Sequence, residues 1–63
     1  MANEVEYLNK TLYIKFYGKW DLNGKYIGNK VIYGQEFMII QEEYGRKTIY
    51  LVNPRSIMYF YAL

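Results

Sequence analysis

The stretch from Lys25 to Leu63, KYIGNKVIYGQEFMIIQEEYGRKTIYLVNPRSIMYFYAL, decides how this chain folds. Its apolar residues fall into short runs parted by compact turn signals, which predicts strands rather than helices. Lys25 to Tyr33 is the first of these runs, with Gly28-Asn29 breaking its alternation. A glycine inside a strand marks a bulge or a bend, and a small barrel needs such bends to close. After the turn at Gly34-Gln35, Glu36 to Glu43 carries Phe37, Met38, Ile39 and Ile40 in unbroken succession. A strand apolar on both faces is expected to be covered on both, here in part by another copy. Tyr44-Gly45-Arg46 turns the chain into Lys47 to Val52, where Ile49 and Leu51 share one face. Asn53-Pro54-Arg55-Ser56 is a stop, because proline lacks a donor and drives Asn53 out of the helical region. One turn of 3₁₀ helix is expected there. Ile57 to Leu63 is a last strand, apolar on both faces, and a free edge of that kind invites pairing with a neighbouring subunit.

Before this stretch, Thr11 to Trp20 alternates cleanly, with Leu12, Ile14 and Phe16 on one face. Tyr13, Lys15, Tyr17 and Lys19 take the other. Asn23-Gly24 then reads as the tight turn of a hairpin, since both residues tolerate positive φ. In Met1 to Lys10, Asn3 and Glu6 have capping-box spacing and Val5 and Leu8 share a helical face. A short helix docked on the barrel is one reading and a frayed end the other.

The totals bound the class. Sixty-three residues make one domain, residues 1–63, without internal repeats or a linker. A domain of this size buries only about 60% of the surface its unfolded chain exposes. With no Cys and no His, disulfides and the usual metal staples are excluded, so no cofactor or metal site is expected. Packing of nine Tyr, three Phe and one Trp, or assembly, must supply the stability. The lack of Cys suits a cytoplasmic location, and no segment approaches the roughly 20 apolar residues of a membrane span. A net charge of +2 is mildly basic and does not by itself indicate nucleic acid.

Two segments resemble the Sm-like family, in its bacterial Hfq branch. Gly28 to Ile40, GNKVIYGQEFMII, is similar to the Gly-hydrophobic-x-x-Phe-Asp-x-Phe strand pair of that family. Ile49 to Phe60, IYLVNPRSIMYF, is similar to its Val-Tyr-Lys-His-Ala-Ile-Ser-Thr-Ile segment. Tyr50 matches the family's tyrosine and Phe37 the aromatic after its aspartate. The Gly-to-Phe spacing is one residue longer here, and Gly34-Gln35 stands where the family has that aspartate. Leu51-Val52 replaces the Lys-His pair with which the family grips RNA. The resemblance implies an all-β, five-stranded, strongly bent SH3-like barrel. It also implies rings of subunits that pair the fourth strand of one with the fifth of the next. Tyr50, Val52, Met58, Tyr59 and Tyr61 are the expected interface residues.

No catalytic residue is nominated. Glu42 and Glu43 are adjacent on a strand, so they point to opposite faces and make no acid/base couple. Ser56 is the only serine and has no histidine to activate it. The face that suits a ligand is Tyr13, Lys15, Tyr17 and Lys19, where aromatics stack on bases and lysines neutralise phosphates. Lys25 and Lys30 extend it across the hairpin, and Phe37, Tyr50, Asn53 and Arg55 join from the later strands and loop. RNA or single-stranded DNA is the expected partner. A small protein-interaction adaptor or inhibitor, acting through a Tyr-rich surface or a strand edge, is the alternative. Trp20 is expected to plug the barrel mouth, the alternative being an exposed anchor, and Met38 and Met58 to fill core or interface.

Overall fold

Leu12 and Ile14 alternate with Tyr13 and Lys15, and in the computed structural model, which describes residues 4–63, that alternation forms β1, Thr11–Phe16. It is followed by β2, Asp21–Ile32; β3, Gln35–Gln41; β4, Ile49–Val52; and β5, Ile57–Ala62. All pairings are antiparallel, in one sheet of order β4-β3-β2-β1-β5. The fold is therefore all-β, and β4 and β5 are its two edges.

The bend expected at Gly28 is present. The β2–β3 register shifts between Tyr26 and Gly28, and Gly28 has φ +143°. Pairing of β2 passes from β1 to β3 just before this bend, with Lys25 paired to both. Its first half, Asp21 to Lys25, lies against β1, and its second half pairs with β3 only. One strand thus serves both sides of the curved sheet.

The hairpin turn is not where Asn-Gly placed it. Asn23 and Gly24 lie inside β2, opposite Tyr13 and Leu12. The reversal directly follows β1, at Tyr17-Gly18-Lys19, with Gly18 at φ +95°. Gly24 has a different role. A Cβ built on it would stand 2.5 Å from Ile40 Cγ2 and 2.9 Å from the Gln41 carbonyl oxygen. Its missing side chain lets the end of β3 cross β2 closely.

Leu12, Ile14, Tyr26, Met38, Ile40 and Val52 form the buried core. Tyr7, Phe16, Leu22, Tyr50, Ile57 and Phe60 pack around it half-buried. On β3 the continuous apolar run divides: Met38 and Ile40 face inward, while Phe37 and Ile39 are half-covered on the outer face. Trp20 does not plug the barrel. It is 74% exposed, because β1 stops at Phe16 and carries Trp20 out with the turn.

The stop before β5 forms as its sequence requires. Asn53 is extended (φ −74°, ψ 117°), and Pro54–Ser56 make one 3₁₀ turn. The Asn53 side-chain oxygen accepts from the Arg55 amide at 3.0 Å, and the Ser56 hydroxyl donates to the Asn53 carbonyl at 2.7 Å. At the other end Glu4–Tyr7 is a 3₁₀ turn, not the capping-box helix; Asn3 lies outside the described residues. That turn is tied down. The Tyr7 ring meets Phe60 edge-on at 5.1 Å, and Asn9 and Lys10 exchange backbone hydrogen bonds with Tyr26. Among the described residues no helix is long and apolar enough to cross a membrane.

Candidate functional site

Two surfaces stand out, and they divide the residues nominated from the sequence. The first is the outer face of β1 and β5. Tyr13 lies opposite Tyr61, and Lys15 opposite Tyr59. Directly opposed residues of an antiparallel pair share a face, so three tyrosines and a lysine are gathered on two strands. The Tyr13 ring is 5.2 Å from Tyr61 and 6.3 Å from Tyr59, and Tyr59 and Tyr61 are nearly parallel at 6.4 Å. Successive outward residues on one strand are about 7 Å apart, which sets that last spacing. Tyr59 and Tyr61 are each about half exposed.

Asp21 bounds this face. It sits opposite Lys15 on β2 and accepts a hydrogen bond from the Tyr13 hydroxyl at 3.2 Å. Partial desolvation among the rings raises the Tyr13 pKa above 10.0, and the Asp21 hydrogen bond and negative charge push it the same way. Tyr13 is thereby held as the neutral donor.

The second surface is a groove of about 900 Å³ between the β1–β2 turn and the loop joining β3 to β4. Phe16, Leu22 and Tyr50 form its half-buried floor, with buried Val52 beneath. Trp20 and Tyr44 rise from its two loops, 74% and 84% exposed. The ionisable residues that line it are Asp21, Glu42, Tyr44 and Tyr50, with no Lys or Arg among them.

The nominated residues fall out as follows. Tyr13 and Lys15 are on the outer face as expected. Tyr17 and Lys19 are not on that strand face, since β1 ends before them; both are exposed in the turn. Lys25 pairs with Thr11 and continues the face across β2. Lys30 does not, because it follows the Gly28 bend and pairs with Phe37 on β3. Tyr50 and Asn53 line the groove together with Phe37, and Arg55 lies beside Gln35 and Glu36 in a separate small cleft.

Of the residues expected at a subunit interface, Val52 is 5% exposed, so its side chain belongs to the core and only its strand edge is open. Met58 is 47% exposed at the β1–β5 register shift, which suits an edge contact. Tyr59 and Tyr61, nominated for the interface, complete the Tyr13 cluster within the chain. Their alternation around Phe60 was the available sign that both point outward. What the sequence lacked was the knowledge that β5 lies beside β1. Comparison with protein-family models, with curated proteins and with solved structures finds no match.

Proposed function

We propose that this chain is a cytoplasmic, non-enzymatic module of Sm-like type that binds single-stranded RNA or DNA on the outer face of β1 and β5. The carrying observation is the cluster of Tyr13, Tyr59 and Tyr61 beside Lys15. A β-surface with half-exposed rings offers bases a stacking platform, worth about 1–3 kcal/mol per base, whatever the sequence. Lys15 supplies a cation on the same face, and Lys19 another from the adjoining turn. Copies join through the open edges of β4 and β5 into a closed homo-oligomer, which repeats the platform around a ring and multiplies weak contacts.

With so few cations per chain, stacking carries most of the affinity. Neutralising one phosphate of a single strand contributes a salt slope of about −0.7, so two lysines give about −1.4 per platform. Fluorescence anisotropy of a labelled oligouridine or oligothymidine across a salt series tests this. Lys15→Glu with Lys19→Glu is expected to weaken binding and to remove its salt dependence while the circular dichroism spectrum stays that of the parent. Tyr61→Ala is expected to weaken binding about 5- to 150-fold, the equivalent of one lost stacked base. Undiminished binding by both variants would reject the platform.

A further inference from the structure

The groove differs from the tyrosine face in the sign of its charge, and that difference selects a ligand. Phosphate is disfavoured there, since Asp21 and Glu42 line the groove and no cation does; Lys25 and Lys47 meet Glu42 only from an adjoining cleft, and its Oε1 accepts from the Thr48 amide at 3.3 Å. The same carboxylates, set among exposed aromatic rings, suit a cation with a flat face. Arginine is that cation, because its guanidinium stacks on aromatic rings and pairs in a fork with carboxylates. The shape adds a second constraint. β3 pairs with β2 only from Lys25 onward, so Asp21 to Gly24 has a strand partner on the β1 side alone. Gly24 is covered by Ile40 and Gln41, but the flank of Asp21 to Asn23 runs along the groove wall, and such a flank accepts an extended chain.

We propose that this groove docks an extended, arginine-bearing peptide segment of a partner protein. Arginine stacks on Trp20 or Tyr44 and pairs with Glu42 or Asp21, while the peptide backbone runs beside Asn23 on the open side of β2. Apolar side chains of the segment cover Leu22 and Tyr50. Docking here does not involve Tyr59, Tyr61 or Lys15, and it stands whether or not the outer face binds nucleic acid; Asp21, which accepts from the Tyr13 hydroxyl, is shared by the two surfaces.

Trp20 is the only tryptophan in the chain and lines this groove, so its emission reports a ligand there. The probes are a short synthetic peptide of alternating arginine and serine and its counterpart with glutamate for arginine. The arginine peptide is expected to shift Trp20 emission to the blue, saturably, and the glutamate peptide to leave it unchanged. Glu42→Gln, which keeps the side-chain oxygen but removes the charge, is expected to weaken binding severalfold. Adding Asp21→Asn is expected to bring the loss to about tenfold, as for two partly screened ion pairs. Equal response to the glutamate peptide would overturn the proposal. A Trp20 emission shift that follows protein concentration without peptide would do so too, by showing a second copy of the chain in the groove.

Discussion

Gly24→Ala is the sharpest test of the fold, because two readings of Asn23-Gly24 predict different outcomes. If this pair were a hairpin turn, alanine would act through positive-φ strain, and the end of β3 would not feel it. In the structure Gly24 is inside β2 and its substitution is steric. The new methyl would lie 2.9 Å from the Gln41 carbonyl oxygen and 2.5 Å from Ile40 Cγ2. Neither neighbour yields easily. The carbonyl belongs to the strand backbone, and Ile40 is fully buried. Overpacking of this kind costs about 1–3 kcal/mol. A chain of 63 residues has about 3–9 kcal/mol of stability in all. A loss of about 2 kcal/mol corresponds to a fall of about 8–16 °C in melting temperature for a domain this small. Thermal unfolding followed by far-ultraviolet circular dichroism measures it. Ile40→Leu removes Cγ2 from the contact. The double variant is therefore expected to be about 0.5–1 kcal/mol more stable than the sum of the single losses. A Gly24→Ala protein melting within about 2 °C of the parent, well under the overpacking cost, would refute the reasoning. Strict additivity with Ile40→Leu would refute the part that names Ile40.

Three other outcomes follow from individual contacts. The raised Tyr13 pKa means that the folded state favours the protonated phenol. Its contribution to stability is full below the unfolded value of 10.0 and is lost as pH rises through the higher folded value. Carbon NMR of the Tyr13 ring is expected to show ionisation above 10.0, moving back toward it in Asp21→Asn, which leaves a hydrogen-bond acceptor but no charge. Asn53→Ala removes the oxygen that holds the Arg55 amide; a loss of about 1 kcal/mol, or about 4–8 °C, is expected in thermal unfolding. Met58→Asp places a charge at the open edge of β5, and light scattering is expected to show smaller assemblies at unchanged secondary structure.

The parity of β1 and β4 was legible because it follows from local alternation. Leu12 and Ile14 went in, and Tyr13 and Lys15 out, as period two demands. The stop at Asn53-Pro54 was equally legible, since proline restricts its neighbour whatever lies elsewhere. Asn23-Gly24 misled for the converse reason. The signal is a local tolerance of positive φ, whereas Gly24 is there for a contact with Ile40 and Gln41 on a later strand. Gly18, with φ +95°, makes the turn without an asparagine before it. The binding surfaces were half legible on the same principle. Tyr13 and Lys15 were found from their own strand; Tyr59 and Tyr61 joined them only through the β1–β5 pairing. The groove was not legible, because its walls come from the β1–β2 turn, the β3–β4 loop and β4 at once.

The proposed assembly and the proposed ligand binding make competing claims on β5, and both can be met by different groups of that strand. Tyr59 and Tyr61 face outward from the sheet, whereas pairing with another strand uses the backbone groups in the plane of the sheet. A neighbouring β4 laid along β5 would leave the tyrosine rings exposed and would add its own outward residues, Ile49 and Leu51, beside them. Those two are 56% and 44% exposed in the single chain. Edge pairing would therefore extend the platform rather than consume it. Met58→Asp is accordingly expected to weaken oligonucleotide binding as well as assembly, although Met58 lies outside the tyrosine cluster. Tyr61→Ala should weaken binding alone. If dissociated subunits bound a short oligonucleotide as tightly as the parent assembly, the platform would be complete within one chain and the ring would add nothing to it.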